Sequence, residues 1–494
     1  MKELLDRYPK PDDFLCSLDA IRRQPSGITT ETREAIALAR QYIDDIVKPD
    51  ALRLDRELQK NHDLLITETV LKASRRGFYS RWIPRIFGGG GASFPSFSHF
   101  MEEISSVCTA QANVIGVHYL GLATVMASWN TPLIHRICNE IVSGEKNNKP
   151  CLVSLALTEP DAGTDMEEDC LMDKGKITCH AIKVSGGWRV NGRKIFISNG
   201  HVSTWHILFA FVDTSNPSEN LILMAIKNGM EGFSFGRKEH KMGQKVCVAS
   251  ELIFDNCFVP DEYVCWTPDE ISQQKRSNSQ TTMQILNYVL GASRAGVCAF
   301  GAGVARGAFE TAAQFSSQTK VCGKLLIEHE WAQSILAQMY KNVAISRLSY
   351  IEANAACGMY GMYKYLQIKP LYYLMKYLPT PILKMLSYPM VHTNWGTQLF
   401  RYLYCDCQTD AESSRVSGWA SLAKFTGTDA GVENCQLALQ LMGQSGVRHD
   451  YWAEKHFRDS RLLQIYEGTN QLNRLNVFKS LVAKGYNNVS VFDE

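Results

Sequence analysis

Between residue 28 and about residue 150, apolar positions recur at helical spacing. Ile36, Ala39, Ile43, Ile46 and Val47 share one face of an expected helix, with Thr30 as its N-cap and Glu31 and Glu34 in the first turn. A glycine run, Gly88 to Gly91, punctuates the chain before a second apolar helical stretch through Val114, Leu120, Leu122 and Val125. Near Pro150 the period changes, and short β-branched and aromatic runs follow as far as about Pro260. Trp188–Val190 and Lys194–Ile197 flank Asn191-Gly192, a pair that tolerates positive φ, so a hairpin is expected there. Ile207–Val212, Leu221–Ile226 and Leu252–Phe258 read as further strands. After about residue 280 the helical period returns, and the Ala/Gly-rich stretch Gly291–Ala313 suits closely packed bundle helices. The pattern predicts an α+β fold, mainly α: a helical domain over 1–150, a β-barrel domain over 151–262, and a helical bundle over 263–494 with an insertion at about 354–419.

Length agrees, since 494 residues at roughly 150 per domain make about three domains. A net charge of +2 gives no electrostatic footprint for nucleic acid. Fifteen cysteines are scattered without metal-ligand spacing, so no metal site is expected and the thiols read as reduced and mostly buried. The N-terminal MKELLDRYPKPDDF fits neither a secretory signal nor an Arg-rich transit peptide, and no run approaches about 18 consecutive apolar residues. A bacterial cytoplasm or a mitochondrial matrix is the expected compartment.

Three segments carry candidate chemistry. Leu157-Thr-Glu-Pro-Asp-Ala-Gly-Thr-Asp165 reads as a strand breaking at Pro160 into a loop whose amides and hydroxyls can line a polar ligand. In Lys194-Ile-Phe-Ile-Ser198, Phe196 and Ser198 fall on one face of a strand, where a ring can cover an aromatic cofactor and a hydroxyl can bond to it. In Gln464-Ile-Tyr-Glu-Gly-Thr-Asn-Gln471, a carboxylate sits beside a glycine that permits close backbone approach. Each alone has an ordinary reading as a capped turn, a core ring or a surface turn.

Together, and in this order, they resemble the acyl-CoA dehydrogenase family over about residues 70 to 480. Pro84-Arg-Ile-Phe-Gly-Gly89, Lys241-Met-Gly-Gln244 and Glu251–Pro260 are weaker matches that agree. The resemblance implies an FAD enzyme that converts an acyl-CoA thioester to the 2-enoyl-CoA. Glu467 would be the base that removes the α-proton, and the β-hydride would pass to flavin N5. Some relatives place the base just before an arginine at the start of the bundle, but Ser293 occupies that position here, before Arg294. The implied FAD contacts are Leu157, Thr158, Gly163, Thr164, Phe196, Ser198, Thr469 and Gln471, with Thr164, Ser293, Arg294 and Gly468 on the acyl-CoA. Relatives often carry tryptophan and threonine where Phe196 and Ser198 stand.

Two elements depart from the family pattern. An arginine and a phenylalanine that reach a neighbouring subunit's FAD are replaced by Thr319 and Cys322, leaving Lys320 as the nearby cation. A QxxGG element becomes Gln440-Leu-Met-Gly-Gln444, with Gln440 kept. The resemblance further implies a homodimer or homotetramer and an electron-transferring flavoprotein as acceptor. An oxygen-using oxidase or monooxygenase, or a non-enzymatic binding protein on the same fold, are the alternatives.

Between Ala353 and Trp419 the chain runs roughly fifty residues longer than such a bundle needs. This insertion is rich in tyrosine, lysine and leucine, and has no Asp or Glu from Ala353 to Cys405. It reads as a packed lobe or subunit interface, as a surface for peripheral contact with an anionic membrane through 360–390, or as a cover over the acyl pocket.

Overall fold

The computed structural model describes residues 16–483 and 489–492; the N-terminal segment read above for targeting lies outside them. Helices α1 (Cys16–Arg23), α2 (Gly27–Tyr42), α3 (Lys48–Lys60), α4 (Thr67–Arg75), α5 (Phe94–Met126) and α6 (Thr131–Lys146) precede the sheet. Helix α2 starts a turn earlier than expected, with Ser26 rather than Thr30 at the cap. Ile28 is buried, so its core contact draws the preceding residues into the helix. Glu31 is buried too, and accepts from Ser93 N (3.0 Å), Tyr372 Oη (2.7 Å) and Lys376 Nζ (3.0 Å). Helix α5 breaks at Cys108, which has extended φ/ψ, where Lys455 Nζ reaches Cys108 Sγ at 3.4 Å.

An eight-stranded sheet follows: β1 (Val153–Ala156), β2 (His180–Val184), β3 (Gly187–Ser198), β4 (Trp205–Phe211), β5 (Leu221–Lys227), β6 (Phe233–Lys238), β7 (Ala249–Pro260) and β8 (Val264–Trp266). The order is β6-β7-β3-β2-β4-β5-β8, with β1 parallel to β4. β8 carries the sheet past the boundary expected at 262, since Val264 and Trp266 pair with β5. The expected hairpin at Asn191-Gly192 is absent. β3 runs straight through it, and the turn is Ser185-Gly186, with Gly186 at φ +77°. Gly192 is instead a bulge where a Cβ would lie 2.6 Å from Cys179 Cα, so the dipeptide serves close strand approach rather than chain reversal. β4 and β5 are apolar on both faces because Ile207, Phe209 and Leu223 pack on the helices while Leu208, Ile222 and Met224 fill a second core within the sheet domain, whose strands form an open order rather than the expected closed barrel.

The C-terminal helices are α7 (Asn278–Gln318), α8 (Glu330–Tyr360), α9 (Lys369–Tyr377), α10 (Thr380–His392), α11 (Asn394–Arg401), α12 (Asp410–Met442), α13 (Ala453–Leu463) and α14 (Asn470–Val477). α7 and α12 cross at Gly301 and Gly427, where a Cβ on Gly301 would sit 2.4 Å from the Gly427 backbone. Among the described residues, α7 is the helix long and apolar enough to cross a membrane, yet 89% of that stretch is buried as the centre of the bundle. Most of the fifteen cysteines are buried.

The excursion from the bundle runs from Tyr360 to Asp410, narrower than 354–419, because α8 continues to Tyr360 and Cys357 Sγ still reaches Gly291 O of α7 at 3.3 Å. It folds against the N-terminal helices. The Arg85 guanidinium donates to Met375 O (2.6 Å), Lys376 O (2.7 Å), Leu378 O (3.0 Å) and Thr380 Oγ1 (2.9 Å). Tyr363 stacks on Phe94 at 4.4 Å, and Tyr404 on Trp129 at 3.8 Å.

Candidate active site

The loop after β1 is held by a buried ion pair. Lys194 Nζ on β3 donates to Glu159 Oε1 and to Leu157 O, both at 2.8 Å, and neither charged side chain is exposed. Glu159 also accepts from Thr178 N (2.7 Å) and Thr178 Oγ1 (2.9 Å); burial would raise its carboxyl, but the Lys194 ammonium, and after it these Thr178 bonds, keep it below the usual range. Ile195 N donates to Thr158 O at 2.9 Å. The loop therefore lies against the end of β3, and Leu157, Thr158, Gly163 and Thr164 share a cavity wall with Phe196 and Ser198. Phe196 leaves the β3–β7 ladder at a register shift, with φ +57° and 54% of its surface exposed. A left-handed aromatic residue costs ~1–2 kcal/mol, and this one spends it on presenting a bare ring to the cavity.

The YEGT segment closes the same cavity from the bundle. Glu467 (φ +57°) and Gly468 (φ +75°) are consecutive left-handed residues. The Glu467 carbonyl accepts from Arg294 Nε (3.2 Å), and the Gly468 carbonyl from Lys424 Nζ (2.7 Å) and Asn473 Nδ2 (2.9 Å). Both carbonyls are thus held from behind, while the Glu467 side chain lines the cavity. Among the described residues, its buried Oε2 has no hydrogen-bond partner. Burial raises its pKa above the ordinary carboxylate value, opposed by the Ser293 hydroxyl and the charges of Arg294 and Lys424.

A second carboxylate, which sequence reasoning missed, belongs to the same cluster. Glu167 lines the cavity and is buried. Its Oε2 accepts from Arg294 Nη2 at 2.7 Å. Burial pushes it up to about 7; Arg294 opposes that rise and Glu467 adds to it. Lys424 is brought down to about 7, chiefly by burial. Gly468 is needed between them, since a Cβ there would meet Glu167 Oε2 at 2.5 Å. No spacing signal marks Glu167, because its partner Arg294 is 127 residues away.

The cavity holds about 490 Å³. Its walls include Gly116, Val117 and Leu120 of α5, Val289, Leu290 and Ser293 of α7, and Met362, Leu366, Tyr372 and Met375 from the excursion. Of the residues singled out in the sequence, Leu157, Thr158, Gly163, Thr164, Phe196, Ser198, Ser293, Glu467 and Gly468 meet here. Arg294 does not line the wall as expected of a substrate contact. It is 1% exposed and acts from behind, through Glu167, Ser421 Oγ (3.1 Å) and the Glu467 carbonyl. Thr469 caps α14 through Leu472 N (3.3 Å). Lys320, Gln440 and Gln471 lie exposed outside the cavity. An exposed ring, nearby hydroxyls and an unpartnered carboxylate oxygen fit a flat cofactor and a substrate sharing this space.

The chain matches the acyl-CoA dehydrogenase N-terminal domain over residues 29–145, the middle domain over 154–257 and the C-terminal domain over 283–358 and 404–482. Most of the excursion falls in the gap of the last match. A short-chain-specific acyl-CoA dehydrogenase of Clostridium acetobutylicum is 26% identical over 458 residues, covering 91% of this chain and 97% of that one. The CarC subunit of the caffeyl-CoA reductase-Etf complex of Acetobacterium woodii is 24% identical over 420 residues, covering 84% and 90%. The butyryl-CoA dehydrogenase structure from Megasphaera elsdenii superimposes with a TM-score of 0.69 at 21% identity, covering 91% of this chain and 98% of that one. The chain belongs to the acyl-CoA dehydrogenase family, and is an FAD-dependent oxidoreductase of CoA thioesters.

Proposed function

We propose that this enzyme catalyses α,β-dehydrogenation of an acyl-CoA, with Glu467 as the base. The observation that carries this reading is the Glu467 carboxylate, with one oxygen buried and unpartnered, on the wall of a largely apolar cavity. An α-C–H beside a thioester is too weak an acid for a solvated glutamate, and a desolvated one with a raised pKa is a stronger base. Glu467 takes the α-proton onto its carboxylate. Its backbone N–H, presented by the two left-handed residues, is proposed to donate to the thioester oxygen as negative charge develops there. Ser293 leaves the alternative base position without a carboxylate. Bound FAD supplies the two-electron acceptor for the β-hydride. Leu157, Thr158, Gly163, Thr164, Phe196 and Ser198 are proposed to hold it, with Thr469 and Gln471 at its outer parts, while Lys320 and Gln440 are proposed to reach the FAD of a neighbouring subunit.

An electron-transferring flavoprotein is the proposed acceptor, supported by the Etf complex to which the Acetobacterium relative belongs. That relative is a reductase, and the same residues serve the reverse reaction when Glu467 carries the proton. Purified enzyme titrated anaerobically with saturated acyl-CoA thioesters should lose its yellow colour, and Glu467→Gln should keep the flavin without bleaching. Bleaching that survives Glu467→Gln overturns the assignment of the base. Rapid peroxide formation in air would favour an oxidase.

A further inference from the structure

The excursion between α8 and α12 has two faces of different use. Tyr372 and Met375 of α9 line the cavity, and the Arg85 bonds and the Tyr372–Glu31 bond fix the orientation of the helix. On α10, Leu383, Ser387 and Val391 form the buried stripe at helical spacing. The opposite stripe is apolar and exposed: Ile382 (43%), Met385 (67%), Leu386 (62%) and Tyr388 (61%), continued by Leu374 and Tyr377 on α9. A helix with both sides apolar needs a second apolar partner. Because the inner side is pinned, this outer side cannot turn inward to find one. Soluble monomers rarely expose contiguous apolar patches of more than a few hundred Å² without a binding role.

Charge selects the partner. No Asp or Glu occurs from Ala353 to Cys405, and the exposed Lys369 and Lys384 flank the apolar stripe. A two-fold contact between copies would set this patch against itself, lysine facing lysine. A surface of anionic lipid supplies the opposite charge together with hydrocarbon for the apolar side chains.

We propose that the outer face of α9 and α10 is a peripheral docking surface for an anionic lipid bilayer. The test is co-sedimentation of the full-length holoenzyme with vesicles of phosphatidylcholine containing about one third phosphatidylglycerol, and with phosphatidylcholine alone. Binding is expected to the anionic vesicles at low salt and to fall steeply as salt rises. A lysine near an anionic surface strengthens binding roughly fivefold, so Lys369→Gln with Lys384→Gln should weaken it roughly thirtyfold. Met385→Glu with Leu386→Glu should abolish it, with flavin content and bleaching by a short, soluble acyl-CoA unchanged. The proposal is overturned if the intact enzyme ignores anionic vesicles at low salt or if both double variants bind like the parent. It is also overturned if the variants change oligomeric mass instead, because the face would then join copies of this chain. Neither vesicle binding nor oligomeric mass depends on turnover, so this proposal and the assignment of Glu467 fail separately.

Discussion

Replacing Arg294 tests how the catalytic loop is held. Its guanidinium bonds the Glu467 carbonyl, Ser421 Oγ and Glu167 Oε2, all out of solvent. Arg294→Met removes all three. At neutral pH the loss falls mainly on the carbonyl and hydroxyl bonds, at ~1.5–3 kcal/mol for each bond to a charged donor. Glu167, already near pH 7, can take a proton rather than stay charged and unpaired. Arg294 is what lowers its pKa, so in Arg294→Met that pKa rises further. A carboxyl held above its unfolded value of 4.5 favours the folded state in its protonated form, and stability falls as pH rises from there to the folded pKa. In the parent this fall ends at about 7; in Arg294→Met it continues above that, at ~1.4 kcal/mol per pH unit. Adding Glu167→Gln should remove the Glu167 share of the extra slope, leaving the share of Glu467, whose raised pKa Arg294 also opposes. Hydrogen exchange of amides 464–470, corrected for its intrinsic pH dependence, reads the opening free energy of this segment without requiring global unfolding. Protection of this segment should drop by about 3–5 kcal/mol at neutral pH, together with slower bleaching. Equal pH slopes in Arg294→Met and the double variant would refute the account of Glu167.

Other outcomes follow from the same geometry. Glu467→Gln should slow anaerobic bleaching by ~10²–10⁴-fold while FAD stays bound. The parent's bleaching rate should rise with pH through the raised pKa of Glu467, because the proton must leave before the carboxylate can act; a flat rate across the acidic and neutral range contradicts this. Phe196→Gly should relieve ~1–2 kcal/mol of left-handed strain, so the apoprotein is no less stable while FAD affinity, measured by fluorescence on dilution, falls. Arg85→Ala removes the bonds to Met375, Lys376, Leu378 and Thr380, and limited proteolysis should then cut first near α9 and α10. Unchanged proteolysis would show that ring stacking by Tyr363 and Tyr404 holds the excursion unaided.

Much of the fold was legible because its signals are local. Helical spacing around Ile36, the apolar runs at Ile207 and Leu221, and the Ala/Gly-rich stretch after Gly291 each report the neighbours a residue meets along its own element. The segments LTEPDAGTD and QIYEGTNQ marked the candidate site only together, through their resemblance to the acyl-CoA dehydrogenase family, since each alone reads as an ordinary turn. Asn191-Gly192 misled because local signals permit a turn there, but Cys179, 13 residues before Gly192 and just ahead of β2, decides that it is a bulge. Tertiary structure alone decided which groups meet. It placed Glu167 on Arg294, set Arg294 behind the wall, left Lys320, Gln440 and Gln471 outside the cavity, and gave α9 and α10 one side for the pocket and one for solvent. Periodicity is blind to such pairings, since burial and long-range contact, not spacing, determine whether a charge is paired, hidden or exposed.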